Sequence, residues 1–218
     1  NESKIRKGEI KYKIILDEHQ KQAKEMIINN PIVSITGRSG SGKSLVCAQA
    51  SLDFIFKKEF AIEKIYVCRA LIEMQDDSMG FLKGGIDEKF GPYIESFIDN
   101  LEKCYDKDKI NKLLAEGKIV AGPPNFMRGK TVDNAVMIIE EAQNLSKFKM
   151  LSLLERIGKN GKIIVNGDIA QRDVEYKDNG MQYCKLLSEN IEGFKYIKLQ
   201  GKHRHDIVGL IHDFEYGK

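Results

Sequence analysis

The sequence predicts an α/β fold built on a mainly parallel sheet, and three observations carry that prediction. Short, continuous apolar runs at residues 32–36, 64–69, 118–121, 135–140, 162–166 and 194–199 suit strands covered on both faces. Stretches with apolar residues at helical spacing lie between several of these runs, as in β-α-β units. The first run also enters a glycine-rich turn that leads directly into a helix.

Taken in order, residues 1–16 carry Lys4, Arg6, Lys7, Lys11 and Lys13 with few apolar partners and read as a solvated basic lead-in. Asp17 is a natural N-cap for a helix that turns Gln20, Ala23 and Ile27 to one side and stops at Asn29-Asn30-Pro31. After the strand at 32–36, a helix over 43–57 has Leu45, Ala48, Leu52, Ile55 and Phe56 as its apolar stripe. Ile94, Phe97, Ile98 and Leu101 predict a helix over 93–104, and Leu151, Leu154 and Ile157 another over 150–157. No repeat or low-complexity tract breaks the pattern, so residues 17–218 are expected to form a single domain.

Composition narrows the class further. Apolar residues make up 42 % of the 218 and charged residues 31 %, enough to bury a core and unlike a disordered chain. The longest apolar run, Ala135 to Ile139, is far too short to cross a bilayer, so no membrane partner is expected. Cys47, Cys68, Cys104 and Cys184 are scattered without a Cys-x-x-Cys pair, which fits reduced cysteine in the cytoplasm. The net charge of +3 is compatible with a nucleic-acid partner but does not argue for one. A first residue of Asn rather than Met fits either a processed start or sequence missing upstream.

The strongest motif is Gly37-Arg38-Ser39-Gly40-Ser41-Gly42-Lys43-Ser44, followed by Leu45. Small residues let backbone N–H groups curl around a phosphate, and the following helix adds its positive end. Lys43 should reach the β- and γ-phosphates, while the Ser44 hydroxyl should take one position on Mg²⁺. A chance glycine-rich turn is the bland alternative, and the strand-loop-helix context disfavours it.

A nucleotide-hydrolysing site also needs a strand that delivers acids. The run at 135–139 ends in Glu140 and Glu141, suited to holding Mg²⁺ and to orienting the attacking water respectively. Read alone, the pair could simply mark the solvent end of a buried strand. The strand at 162–166 runs into Gly167-Asp168-Ile169-Ala170-Gln171, where Asp168 or Gln171 could sense a γ-phosphate. A plain turn is the other reading.

Together these segments resemble the PhoH-like (phosphate-starvation-inducible) ATPase family, which is similar to the first core domain of superfamily 1 helicases. The resemblance runs from about residue 17 to 215 through the phosphate loop, Gly80-Phe81-Leu82-Lys83-Gly84, and Asp87-Glu88-Lys89-Phe90-Gly91-Pro92-Tyr93. It continues through Met127-Arg128-Gly129-Lys130-Thr131, Glu140-Glu141-Ala142-Gln143-Asn144, Gly167-Asp168-x-x-Gln171 and Arg204-His205. It implies a three-layer α/β/α, RecA-like P-loop domain that uses ATP and Mg²⁺. It further implies that Gln143 couples the hydrolytic site to neighbouring motifs, that Gln20 reads adenine and that Arg204 is an arginine finger. From the bare sequence, Gln20 could equally be a polar helix-face residue, and Arg204 could cap or pair near the last helix. No Asn-Lys-x-Asp guanine reader follows the loop, since Asn111-Lys112 continues into Leu113-Leu114. The chain departs from the family at Glu140, where Asp is usual, and at Ala70, Lys83 and Asp206, where Pro is usual.

One such domain cannot enclose ATP by itself, so the resemblance points to a neighbouring subunit supplying Arg204, in a homo-oligomeric ring such as a hexamer. Single-stranded RNA or DNA is the expected partner. Arg69, Phe126, Arg128 and Lys130 are the candidate contacts, because aromatic and basic side chains stack bases and hold phosphates. A solvated loop with Phe126 packed inward is the alternative. His203-x-His205 with His212 lacks a completing ligand for zinc. Two rival functions remain: an ATP-binding switch or scaffold with little turnover, and a small-molecule kinase, which would need an arginine-rich lid that is not evident.

Overall fold

A computed structural model describes residues 10–70, 86–170, 179–201, 207, 210 and 214. Six strands, β1 (Ile32–Thr36), β2 (Lys64–Arg69), β3 (Ile119–Gly122), β4 (Ala135–Glu140), β5 (Lys162–Gly167) and β6 (Phe194–Lys198), form one sheet. The order is β3-β2-β4-β5-β1-β6, and every neighbouring pair is parallel. All strand carboxyl ends therefore lie along one edge.

Alternation along β4 shows why the strand is apolar throughout. Val136 and Ile138 enter one core with Ile65, Val67 and Ile164, while Met137 and Ile139 enter a second with Cys68, Ile163 and Val165. Successive strand residues face opposite sides, so both faces need apolar side chains. The first core is closed by α1 (Glu18–Asn29), α2 (Lys43–Phe56), α3 (Ile86–Cys104) and α4 (Lys107–Ala115). The second is closed by α5 (Lys147–Leu154) and α6 (Gly180–Asn190). The result is the three-layer α/β/α arrangement.

Asp17 caps α1 as expected. Its side chain accepts from Gln20 N at 2.8 Å, and Gln20 Oε1 accepts from Asp17 N at 3.0 Å, a reciprocal capping box. At the other end, Lys162 Nζ donates to the carbonyls of Ile27, Ile28 and Asn30 at 3.3, 2.7 and 3.0 Å. These are the groups a helix end leaves without partners.

Three elements differ from expectation. Helix α3 begins at Ile86, and α4, capped by Asp106, was not foreseen. The helix expected over 150–157 runs instead from Lys147 to Leu154. Ser146 caps it early, accepting from Lys149 N, and a bridge between Val132 and Ile157 draws the following chain away from helical geometry.

The supposed lead-in also packs in part. The Tyr12 hydroxyl lies 2.7 Å from Asp53 Oδ1 and 2.8 Å from the Gln49 carbonyl, Lys24 pairs with the same buried Asp53 at 2.8 Å, and Leu16 joins the first core. Residues 12–16 are thus part of the folded body, not a solvated prefix. All four cysteines are free and buried, and burial pushes the Cys68 and Cys184 thiols up to about 12. Among the described residues no helix is long and apolar enough to cross a membrane.

Candidate functional site

The site lies at the carboxyl edge of β1, β5, β4 and β2. After Thr36, Gly37 has φ 152°, and a Cβ there would come within 2.8 Å of both the Leu199 carbonyl and Ser41 Oγ. Gly40 and Gly42 have φ of 82° and 83°, the left-handed region that suits glycine. Gly42 is the N-cap of α2 and offers no side-chain cap, so the first N–H groups of the helix face the loop without one. This is the local geometry of an anion cradle.

Lys43 Nζ folds back to donate to the Gly37 and Arg38 carbonyls at 2.7 and 3.2 Å. Burial lowers its pKa from the ordinary value, while Asp168, Glu141 and Glu140 act in the opposite sense. An open cleft of about 230 Å³ is lined by Ser39, Lys43, Ser44, Glu141, Asn166 and Asp168 among others. Gly40, Gly42 and Leu45 also line it.

Glu140 ends β4 and is buried. Its Oε2 accepts from Ser44 Oγ at 3.4 Å, and its Oε1 accepts from Asn166 Nδ2 at 2.6 Å. Burial raises its carboxyl pKa, and Glu141 adds to that rise. The Ser44 hydroxyl, the Glu140 carboxylate and the buried Asn166 Oδ1, which has no hydrogen-bond partner among the described residues, form an all-oxygen set. Hard oxygen donors of this kind fit Mg²⁺.

Glu141 follows in the left-handed region, φ 53° and ψ 38°, an uncommon and strained conformation for a side chain of its length. Its Oε2 accepts from Gln143 Nε2 at 2.7 Å, and its Oε1 lies 3.4 Å from Arg69 Nη2. Gln143 Oε1 in turn accepts from Asp168 N at 3.1 Å, and Asn179 Nδ2 donates to the Gln143 carbonyl at 2.8 Å. Asp168 Oδ1 accepts from Ala170 N.

The structure therefore brings Lys43, Ser44, Glu140, Glu141, Gln143 and Asp168 together. Gln20 is buried beside the loop, where its Nε2 donates to the Ser41 carbonyl at 3.2 Å while its Oε1 serves the α1 cap. Both ends of the amide expected to read adenine are thus engaged. Arg69, a candidate strand contact, sits instead against Glu141 and donates to Ser96 Oγ at 2.6 Å. Phe126 packs against the second core, and Lys130 Nζ stands 3.0 Å from its ring centroid, so that ring is covered rather than presented. Arg128 is exposed. Gln171, Arg204, the segment at 80–84, His203, His205 and His212 lie outside the described residues.

Sequence reasoning missed Asn166, Asn100, which also lines the cleft, and Ser96, the partner of Arg69. Asn166 left a signal, a carboxamide closing an otherwise apolar strand just before Gly-Asp. Asn100 and Ser96 left none, being ordinary polar positions on a helix.

The family model described as PhoH-like protein matches residues 14–215. A PhoH-like protein of Synechocystis sp. is 30 % identical over 212 residues, covering 96 % of this chain and 63 % of that protein. The protein PhoH of Escherichia coli (strain K12) is 33 % identical over 187 residues, covering 85 % of this chain and 51 % of its own length. The chain thus spans about half to just under two thirds of these relatives. The crystal structure of the DUF1998 helicase MrfA bound to DNA shares the fold, with a TM-score of 0.51 at 12 % identity over 86 % of this chain and 28 % of that one. With a glycine-rich anion cradle, two strand-end acids and a family match over nearly the whole length, this chain belongs to the PhoH-like family.

Proposed function

We propose that this chain is a Mg²⁺-dependent ATPase whose turnover moves or remodels RNA or single-stranded DNA, acting as a homo-oligomeric ring of single P-loop domains. The observation that carries the reading is that Lys43, Ser44 and Glu141 line one cleft while the buried Glu140 accepts a hydrogen bond from Ser44. The N–H groups of the loop and the first turn of α2 cradle the phosphates. Lys43 exchanges the Gly37 and Arg38 carbonyls for phosphate oxygens, a trade its desolvated position favours. Mg²⁺ held by Ser44 and Glu140 would offset charge on the transferring phosphoryl group. Glu141 orients the water and takes its proton, and Gln143 fixes the Glu141 carboxylate.

Gln171 senses the γ-phosphate in this reading, and Arg204 of a neighbouring subunit completes the site. Gln20 holds the loop from α1, and any contact with adenine is made by its remaining hydrogen-bonding capacity. Arg128 and Lys130, on the loop after β3, face the strand. A cytoplasmic setting fits the four reduced thiols.

The test is steady-state ATP hydrolysis with Mg²⁺, with and without single-stranded RNA or DNA, using Lys43→Ala as the blank. Stimulation by a strand that the blank lacks supports the motor. Tight ATP binding with negligible turnover in every condition sinks it in favour of a switch, a second reading supported by the contacts of Arg69 and Gln143 on Glu141. Mixing Glu141→Gln with Arg204→Ala subunits tests the shared site: regained activity supports it, and none regained counts against it.

A further inference from the structure

Asn166 lies near the carboxyl end of β5, the strand between β1 and β4. Its side chain therefore stands between what those strands deliver, Ser44 at the start of α2 and Glu140 at the end of β4. It is 3 % exposed. Its Nδ2 donates to Glu140 Oε1 at 2.6 Å and to Ser44 Oγ at 3.1 Å. A carboxamide nitrogen has two hydrogens, so both are committed. The same bonds fix the orientation, because the reversed amide would set Oδ1 at 2.6 Å from a carboxylate oxygen, two acceptors without a proton between them.

Oδ1 is left as a buried acceptor with no hydrogen-bond partner among the described residues, on a side chain that lines the cleft. An unpaired buried acceptor is costly and calls for a donor. Water on a divalent cation is such a donor, since its lone pair is turned to the metal and its hydrogens point outward.

We infer that Asn166 is a positioning residue for a hydrated Mg²⁺: its Nδ2, bonded to Ser44 and Glu140, fixes the amide, and its Oδ1 accepts a hydrogen bond from a cation-bound water. The inference rests on the ATPase reading above and adds to it a residue that acts through the cation's outer shell. Such partners typically change metal affinity about 10- to 100-fold when removed.

The experiment titrates a non-hydrolysable ATP analogue into the full chain, in EDTA and at graded Mg²⁺, and follows melting temperature in parallel. Asn166→Ala is expected to raise the half-saturating Mg²⁺ about tenfold. Affinity in EDTA should stay within about twofold of the unmodified chain. Asn166→Asp keeps the acceptor and loses the donor, so it is expected to need no more Mg²⁺ than the unmodified chain. An alanine variant within about twofold of the unmodified chain overturns the inference. So does an aspartate variant that needs about tenfold more Mg²⁺, the outcome if Asn166 served only to donate to Glu140. If Asn166→Ala does not fold in EDTA, the aspartate comparison decides. An unmodified chain that binds no nucleotide, or binds it equally well as Lys43→Ala, sinks the ATPase reading itself and is distinguishable from either result.

Discussion

Gly167 closes β5 in register with Thr36 and lies against Gln143. A methyl group there would stand 2.7 Å from Gln143 Oε1, 3.1 Å from Gln143 N and 3.3 Å from Ala142 N. None of these atoms is a free chain end. Gln143 is buried, its Nε2 held by Glu141 at 2.7 Å and its Oε1 by Asp168 N at 3.1 Å, so rotating the amide aside breaks both bonds. Overpacking of this kind costs about 1–3 kcal/mol. Losing the buried bond to Asp168 N adds about 1–2 kcal/mol.

Gly167→Ala should therefore lose about 2–5 kcal/mol, which for a chain of this size lowers Tm by roughly 5–15 °C. Gly129→Ala is the control: its φ of 75° strains an alanine, but nothing lies within 4 Å of the new methyl, and about 1–2 kcal/mol is expected. Calorimetry measures both. On the folded fraction, hydrolysis by Gly167→Ala should fall about tenfold to a hundredfold, because Glu141, the carboxylate proposed to orient the water, loses its Gln143 support. A Gly167→Ala protein melting within about 2 °C of the unmodified chain, with unchanged hydrolysis, would refute the packing argument.

Two further outcomes follow from the acids. Because Glu141 has φ 53°, Glu141→Gly should be more stable than Glu141→Ala by about 1–2 kcal/mol in urea denaturation, and the reverse order would show that the left-handed backbone is not held there. Burial raises the Glu140 carboxyl pKa above its ordinary 4.5, so the folded protein binds a proton that the unfolded chain has released, and stability falls as pH rises through that interval. In EDTA, Glu140→Gln should thus melt above the unmodified chain at pH 7, with the gap closing below pH 4.5, and a gap independent of pH would count against a buried, ionised Glu140.

How much of this could be read beforehand depends on whether a feature is local. The loop at 37–44 and the acids at 140 and 141 announce themselves because each motif consists of adjacent residues, and Asp17 because a cap is a local contact. The strand order is not local. Nothing in the sequence of β5 says that it stands between β1 and β4, and that placement is what turns Asn166 from a strand-end amide into a partner of Ser44 and Glu140. The surroundings of Arg69 were hidden for the same reason: its register opposite Glu140 puts it at the edge of the cleft, where it meets Glu141. Of the two readings of Phe126, the packing favours the inward one: Gly122 leaves room for its ring against the core, and the ring offers its face to Lys130.

The polar contacts also have a direction across the sheet. From β1, Ser44 meets Asn166 and Glu140; from β4, Glu141 meets Gln143 on one side and Arg69 on the other; and Arg69 reaches Ser96 on α3. Each link ends on a group that the next strand or helix supplies, so no carboxylate in the row can shift without changing a partner one element away. In the proposed reading, a nucleotide that drew Lys43 from its carbonyls and engaged Ser44 would act on the Asn166–Glu140 pair directly. Arg69 links Glu141 to α3, the helix between β2 and β3 that packs on the first core. The row is a contiguous set of polar contacts from the phosphate cradle to α3, and in the proposed ATPase reading it is the path by which the contents of the cradle would be felt there. Under that reading, its far end at Arg69 and Ser96 is where a strand or a neighbouring subunit would have to act in order to be felt at Glu141.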